Sequence, residues 1–235
     1  MNKYNDTALA EKNTSGRILS AILIVAIAIV IITFSIGLPI YVRPFYYAHI
    51  EPLDMPYWTD LPAETIREAY DDVLDYLTLP GGEFKAGVFP FSEEGASHFA
   101  DCKKLFTLNL VAFIISSAYI VTVLLLSKKG IVSLHRYRGF DSGFWAGVGT
   151  LSAFALFGGL AALDFDRAFE VFHKIFFPGK DNWVFDYDTD PIIWVMPEEF
   201  FMNCAILILS SVVVISALLI IIGVRRKAKN KNAGA

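Results

Sequence analysis

Two cysteines and four histidines among 235 residues supply little for a disulfide framework or a zinc centre rich in these ligands. Charge is sparse as well. Lys and Arg number 20 against 24 Asp and Glu, and a net charge of −4 provides no basic field for nucleic acid. No Walker loop, G-x-S-x-G elbow, HExxH pair or dinucleotide fingerprint occurs, so the chemistries those motifs carry have no foothold here. Asp186-Tyr187-Asp188-Thr189-Asp190 resembles the start of a calcium loop. Pro191 and Pro197 stand where such a loop needs glycine and glutamate, which leaves an acidic turn.

What fills the chain instead is apolar: 55% of residues are hydrophobic and the mean hydropathy is +0.50. Apolar runs cover residues 18–40, 105–126, 142–163 and 202–223. Each approaches or exceeds the ~20 residues that cross a hydrocarbon core. The expected fold is an all-α membrane protein of one domain, with four transmembrane helices and an extracellular, partly helical cap. Ser35-Ile36-Gly37 is a faint cleavage pattern, but the first run exceeds a signal-peptide core and reads as an uncleaved anchor.

Orientation follows from where the cations lie. The short 127–141 loop holds Lys128, Lys129, Arg136 and Arg138, and the 224–235 tail holds five Lys or Arg and no acid. The positive-inside rule makes both cytoplasmic, together with the N-terminus. Residues 41–104 and 164–201 carry 12 and 9 acidic residues against 5 and 3 basic ones, and are expected outside. A multi-pass protein of the plasma membrane results, with membrane lipids as neighbours and a monomer as the expected state.

The two outer segments also hold 23 of the 34 aromatic residues. An interfacial belt accounts for part of this. A belt would enrich both faces, whereas the inner loop has only Tyr137 and Phe140; the one-sided excess is what a lipid pocket needs. In 41–104, Thr59 or Asp60 is expected to cap a helix with Pro62 in its first turn and Ile66, Tyr70, Val73, Leu74 and Leu77 as its stripe. Pro80-Gly81-Gly82 ends it, and Ser92-Glu93-Glu94 opens the approach to the second span. In 164–201, the run Asp164 to His173 is expected to continue the third helix until Pro178-Gly179. Asp190-Pro191 and Pro197-Glu198-Glu199 read as starts of a short helix and of the last span. Gly143 and Gly147 have the small-xxx-small spacing of close helix packing.

His98 and His173 each lie just outside an apolar span, on the same expected face. Imidazole titrates near neutrality, so two of them at one lipid boundary suit proton transfer on an embedded substrate. His98 with Asp101, and Glu170 with His173, share helix faces at i,i+3. That spacing also occurs in carboxylate-bridged metal bundles, so a metalloenzyme using His98, Asp101, Glu170 and His173 is one alternative. Cys102 follows His98 by four residues, the spacing of a nucleophile and its base; a small apolar residue at a helix mouth is the simpler reading. Cys102 and Cys204 could pair across the bundle. His49 and His135 lack a carboxylate at helical spacing, and surface roles suffice for both. A third alternative is a non-catalytic sensor or assembly factor with a partner-binding cap.

Ser97-His98-Phe99-Ala100-Asp101-Cys102-Lys103-Lys104-Leu105-Phe106, Phe172-His173-Lys174-Ile175-Phe176-Phe177-Pro178-Gly179, Asn182-Trp183-Val184-Phe185-Asp186 and the stretch Asp190 to Phe201 together resemble the bacterial lipoprotein intramolecular transacylase family, Lit. The order of spans and insertions matches too. Cys102 departs from the family pattern, which has an aliphatic residue after the aspartate, and this weighs against a covalent route. The resemblance implies acyl transfer from the sn-2 ester of a diacylglyceryl lipoprotein to the α-amine of its N-terminal cysteine, without a cofactor or a metal. It implies His98 and His173 as catalytic residues, one as base and the other stabilising the oxyanion or protonating the leaving oxygen. Asp101, Lys103, Glu170 and Asp186 are expected in supporting positions, and Phe172, Phe176 and Trp183 as pocket walls.

Overall fold

The computed structural model describes the backbone of residues 3–161 and 163–233, and the side chains of residues 14–156, 158–159 and 163–232. Helices α1 (Lys3–Tyr41), α2 (Arg43–Tyr47), α3 (Met55–Thr59), α4 (Ala63–Thr78), α5 (Glu93–Lys128), α6 (Ser142–Ala161), α7 (Phe165–Phe176) and α8 (Glu198–Ala233) follow in order, with a 3-10 turn at Pro191–Val195 before α8. Among the described residues there is no β-strand, only one isolated bridge between Tyr137 and Phe140.

Three stretches are long and apolar enough to cross a membrane: Thr14–Tyr41, Glu93–Lys128 and Glu198–Asn232, whose apolar 18-residue segments have mean hydropathies of 3.0, 2.4 and 3.1. Within α5 the apolar run 105–126 carries no charged residue; the turns before it hold Glu93, Glu94, His98, Asp101, Lys103 and Lys104 and stand outside the apolar segment. The fourth expected span corresponds to α6, whose described apolar stretch Ser142–Leu156 is shorter than a full crossing. Residue 162, inside the expected 142–163 run, lies outside the described residues.

Two compact units emerge, the first comprising Met1–Ser35, Val111–Phe157 and Leu209–Ala235, the second Ile36–Leu110 and Gly158–Ile208. In the first unit, α6 packs on α8 at its glycines. A Cβ at Gly147 would lie 2.8 Å from the Ser216 carbonyl oxygen, so only glycine allows that approach. The 127–141 loop is tied down by the Tyr137 hydroxyl donating to Arg17 O at 2.7 Å, the His135 amide donating to Ser20 Oγ at 2.7 Å, and an Arg226–Asp141 ion pair at 3.0 Å. An open groove here is lined by Ile24, His135, Tyr137, Arg138 and Trp145; none of the expected site residues borders it.

In the second unit, α4 buries the predicted stripe Ile66, Tyr70, Val73, Leu74 and Leu77, with Ala69 added. These side chains meet Tyr46, Ile50, Met55, Ile192, Val195 and Phe200 in one core. Tyr46 is its centre. Its ring stacks on Tyr70 with 3.4 Å between centroids, and its hydroxyl donates to Val195 O at 2.7 Å, joining segments 149 residues apart. Tyr46→Phe keeps the stack and strands the buried carbonyl, which is expected to cost ~1–3 kcal/mol. Denaturant unfolding in detergent checks this, and a loss below ~0.5 kcal/mol would remove the bond from the account. Gly87 supports the same core: its φ is +58°, and a Cβ would sit 2.7 Å from the Ala69 Cα.

Several expected helix starts are corrected. Thr59 and Asp60 do not cap α4, because Thr59 spends its hydroxyl on Met55 O at 2.8 Å and Asp60 closes α3 in the left-handed region at φ 54°. Pro62 itself occupies the cap position with extended backbone and no capping side chain. The run from Asp164 does not continue α6 but opens a separate helix. Asp164 is extended, and its carboxylate accepts from Arg167 N at 3.0 Å, which makes it the N-cap of α7. One face of α7 is charged, with Asp166, Arg167, Glu170 and Lys174; the other exposes Val171, Phe172, Ile175 and Phe176. Asp190 precedes its 3-10 turn without capping it, since its carboxylate accepts from Ser92 N at 2.8 Å. Cys102 and Cys204 are free thiols rather than a pair. His49 is half-buried in an aromatic cluster with Phe45 and Phe200, more than the surface role expected of it.

Candidate functional site

The site is assembled from the first turns of α5, from α7 and from the segment after it. α5 starts where Ser92 Oγ accepts from Gly95 N at 2.9 Å while Glu93 and Glu94 face the positive end of the helix dipole. One turn further on, His98 and Asp101 point inward and are both more than nine-tenths buried. α7 brings His173 to them. The ring centroids of His98 and His173 lie 5.8 Å apart, and His173 is 6% exposed.

The two imidazoles have different surroundings. His173 Nδ1 lies 2.7 Å from Phe169 O; a carbonyl only accepts, so Nδ1 carries the proton and Nε2 keeps its lone pair. Its ring is held between Phe169, at 4.3 Å, and Trp183, stacked at 4.6 Å. His98 is enclosed edge to face by Phe177 at 4.9 Å and Phe185 at 5.5 Å. Its Nε2 is 3.4 Å from Cys102 Sγ, while its Nδ1 is buried without a partner among the described residues.

Burial lowers both imidazole pKa values. His98 falls to about 4, first through desolvation and then through the charge that His173 would carry, against the opposing pull of Asp101. His173 is lowered by desolvation, partly offset by the Phe169 carbonyl. Both rings are therefore neutral at pH 7, and a charge on one disfavours a charge on the other. Asp101 is the opposite case. A hydrogen bond from Lys180, supported by Lys104 at 2.9 Å and Asn182 at 3.4 Å, holds its carboxyl down at about 2. Burial pushes the Cys102 thiol up to about 12, so it stays protonated and is a poor nucleophile.

Of the expected supporting residues, Asp101 adjoins the histidines and the others turn elsewhere. Glu170 pairs with Lys174 and does not orient His173. Lys103 donates to Gly81 O at 2.7 Å and lies over the Tyr76 ring. Asp186 accepts from Asp188 N at 2.8 Å, closing the acidic turn. Trp183 stacks on His173 at 4.6 Å, Phe172 meets His173 edge-on at 5.4 Å, and Phe176 packs on Phe172 at 4.6 Å. Among the described residues no three His, Cys, Asp or Glu side chains gather as a ligand set.

Lys180 and Phe169 adjoin the site without having been singled out in the sequence, and Phe177, Asn182 and Phe185 entered only as parts of the motifs that carry the resemblance. Lys180 ties Asp101 to the post-α7 segment, and its carbonyl accepts from Trp183 Nε1 at 3.0 Å. Asp101 thereby holds the stacking partner of His173 in place from 82 positions away in the chain. The one local signal is the Pro178-Gly179 turn, which folds the following residues back toward α7.

The fold and the sequence are similar to those of known proteins. The in meso structure of the membrane integral lipoprotein intramolecular transacylase Lit from Bacillus cereus superposes with a TM-score of 0.83 at 26% identity, covering 94% of this chain and 99% of that one. A histidine-substituted form of the same protein superposes at 0.79 and 25% identity, covering 98% and 100%. An uncharacterized protein of Aquifex aeolicus is 24% identical over 151 residues; the match spans 64% of this chain and 64% of that relative's length. The family model described as Lipoprotein intramolecular transacylase Lit matches residues 21–201, and the chain, an all-helical membrane protein with a buried histidine pair, belongs to the Lit family.

Proposed function

We propose that this protein transfers the sn-2 acyl chain of a diacylglyceryl lipoprotein to the α-amine of the same molecule's N-terminal cysteine. The observation that carries the reading is the pair of neutral, buried imidazoles 5.8 Å apart within the residues that match the family model. The acceptor amine, with a pKa of about 7.7 to 8.0, is partly neutral at pH 7. Its nitrogen attacks the ester carbonyl carbon, and His173 Nε2 takes the N–H proton as the tetrahedral centre forms. His98, kept neutral, donates from Nδ1 to the oxyanion. The ester C–O bond then breaks, and His173 returns its proton to the glycerol oxygen. One N–H is exchanged for one O–H, so no second substrate is needed.

Donor and acceptor sit in one molecule, and alignment supplies much of the acceleration, on the order of 7 to 11 kcal/mol in favourable cases. Phe172, Phe176 and Trp183 fit the role of walls for the acyl chain, and Asp101 with Lys180 the role of a brace for Trp183. In this reading α6 is the fourth crossing, both termini are cytoplasmic, the 41–104 and 164–201 segments face outward, and the protein acts as a monomer in the bacterial plasma membrane.

Mass spectrometry of a reporter lipoprotein co-expressed with the chain tests the proposal. The wild type is expected to yield the N-acyl, S-monoacylglyceryl form, and His98→Ala and His173→Ala the unprocessed diacyl form. Absence of the lyso product with wild type, or its persistence in both variants, overturns the reading.

A further inference from the structure

We infer that the Cys102 thiol is a positioning residue that fixes the tautomer of His98, holding the ring proton on Nδ1 where the developing oxyanion requires a donor. The inference rests on the acyl-transfer reading and adds to it a residue that contacts His98.

The geometry comes from one helical turn. Cys102 follows His98 by four residues on α5, and its Sγ lies 3.4 Å from His98 Nε2. A neutral imidazole has one N–H and one lone pair, and the contact made by one nitrogen decides which is which. Sulfur is a poor acceptor and S–H a weak donor, whereas an imidazole lone pair is a good acceptor. The favoured arrangement is therefore S–H donating to Nε2. Burial keeps the thiol protonated, so the opposite polarity with a thiolate does not compete.

The second observation is independent of the thiol. His98 is 7% exposed and its Nδ1 has no hydrogen-bond partner among the described residues. A buried donor left unpaired costs ~1–3 kcal/mol, and an active site repays that cost when a substrate atom arrives. The other charged groups facing the ring are His173, Asp101 and Lys180. Asp101 is engaged by Lys104, Lys180 and Asn182, and the His173 Nδ1 by Phe169 O. The thiol is thus the group that reaches a nitrogen of His98. Imidazole in water prefers the proton on Nε2, so the tautomer assigned here is the one that needs a device to hold it.

The full-length protein labelled with nitrogen-15 histidine in lipid nanodiscs distinguishes the tautomers by the shifts of the protonated and unprotonated ring nitrogens. The His98→Gln spectrum assigns the resonance. At pH 7.5 the wild type is expected to show Nδ1–H at His98. Cys102→Ser, which restores a donor, retains that tautomer and the turnover; Cys102→Val shifts the population to Nε2–H and lowers kcat about tenfold with KM unchanged, a fraction of the loss when an oxyanion donor is removed outright. Nε2–H in the wild type, or a Cys102→Val spectrum identical to wild type, overturns the inference. If Cys102→Val fails to fold, the wild-type and Cys102→Ser spectra decide the matter. A wild-type protein with the expected tautomer and no acyl transfer refutes the proposed function and leaves the assignment of the proton standing.

Discussion

His173→Ala is expected to lower kcat/KM for acyl transfer by about 10²–10⁴-fold, the range that a positioned general base contributes. The prediction rests on a ring whose Nδ1 is committed to Phe169 O at 2.7 Å and whose plane is held by Trp183 and Phe169. Among the described residues His173 hydrogen-bonds through Nδ1, which leaves Nε2 for the amine in the proposed reaction. The pH profile carries a further expectation. His173 titrates below its ordinary value because it is desolvated, so it is already neutral at pH 7. The rise in kcat/KM between about pH 7 and 8 then belongs to the acceptor amine, and a second limb below about 6.5 belongs to the base. In His173→Ala the lower limb vanishes and the amine limb remains. Activity within tenfold of wild type, or a lower limb that survives, would reassign the base.

His98→Leu is expected to separate activity from stability. Loss of the oxyanion donor costs about 10²–10³ in kcat. The same change removes a buried, unpartnered nitrogen from a pocket walled by Phe177 and Phe185, which is expected to raise stability by ~1–3 kcal/mol at pH 7. In acid the gain widens. The unfolded chain titrates His98 near 6.5, whereas the native value is about 4 because burial disfavours the cation. Between those values the unfolded state binds a proton that the native state refuses, so native stability falls as pH falls. The loss is about 1.4 kcal/mol per pH unit and ~3 kcal/mol across the window. His98→Leu abolishes that dependence. Thermal unfolding in detergent at pH 7 and pH 5 measures it; a variant less stable than wild type at both would show that the ring packs to advantage.

Local patterns were legible in the sequence and long-range ones were not. The stripe Ile66, Tyr70, Val73, Leu74, Leu77 announces its buried face through spacing alone, and α4 uses it as expected. His98 and His173 stand out because each is a polar side chain beside an apolar run, on two stretches that the family resemblance shares. Glu170 shows the weakness of that logic. Spacing puts it on the His173 face, but Lys174 lies one turn away on the exposed side of the same helix and takes its carboxylate. Lys180 had no local signature, since its partner Asp101 is 79 residues away. The orphaned Nδ1 of His98 is likewise a property of packing, because it arises from what surrounds the ring.

The amphipathic build of α7 reaches beyond the placing of His173. A helix with Val171, Phe172, Ile175 and Phe176 exposed on one side and Asp166, Arg167, Glu170 and Lys174 on the other has the build of one that lies in the plane of a lipid surface. In the proposed reaction, a base carried on such a helix meets its substrate by lateral diffusion in two dimensions. The quantity that saturates the enzyme is then a mole fraction, the share of the leaflet that is lipoprotein, and inert lipid dilutes the reaction where added buffer does not.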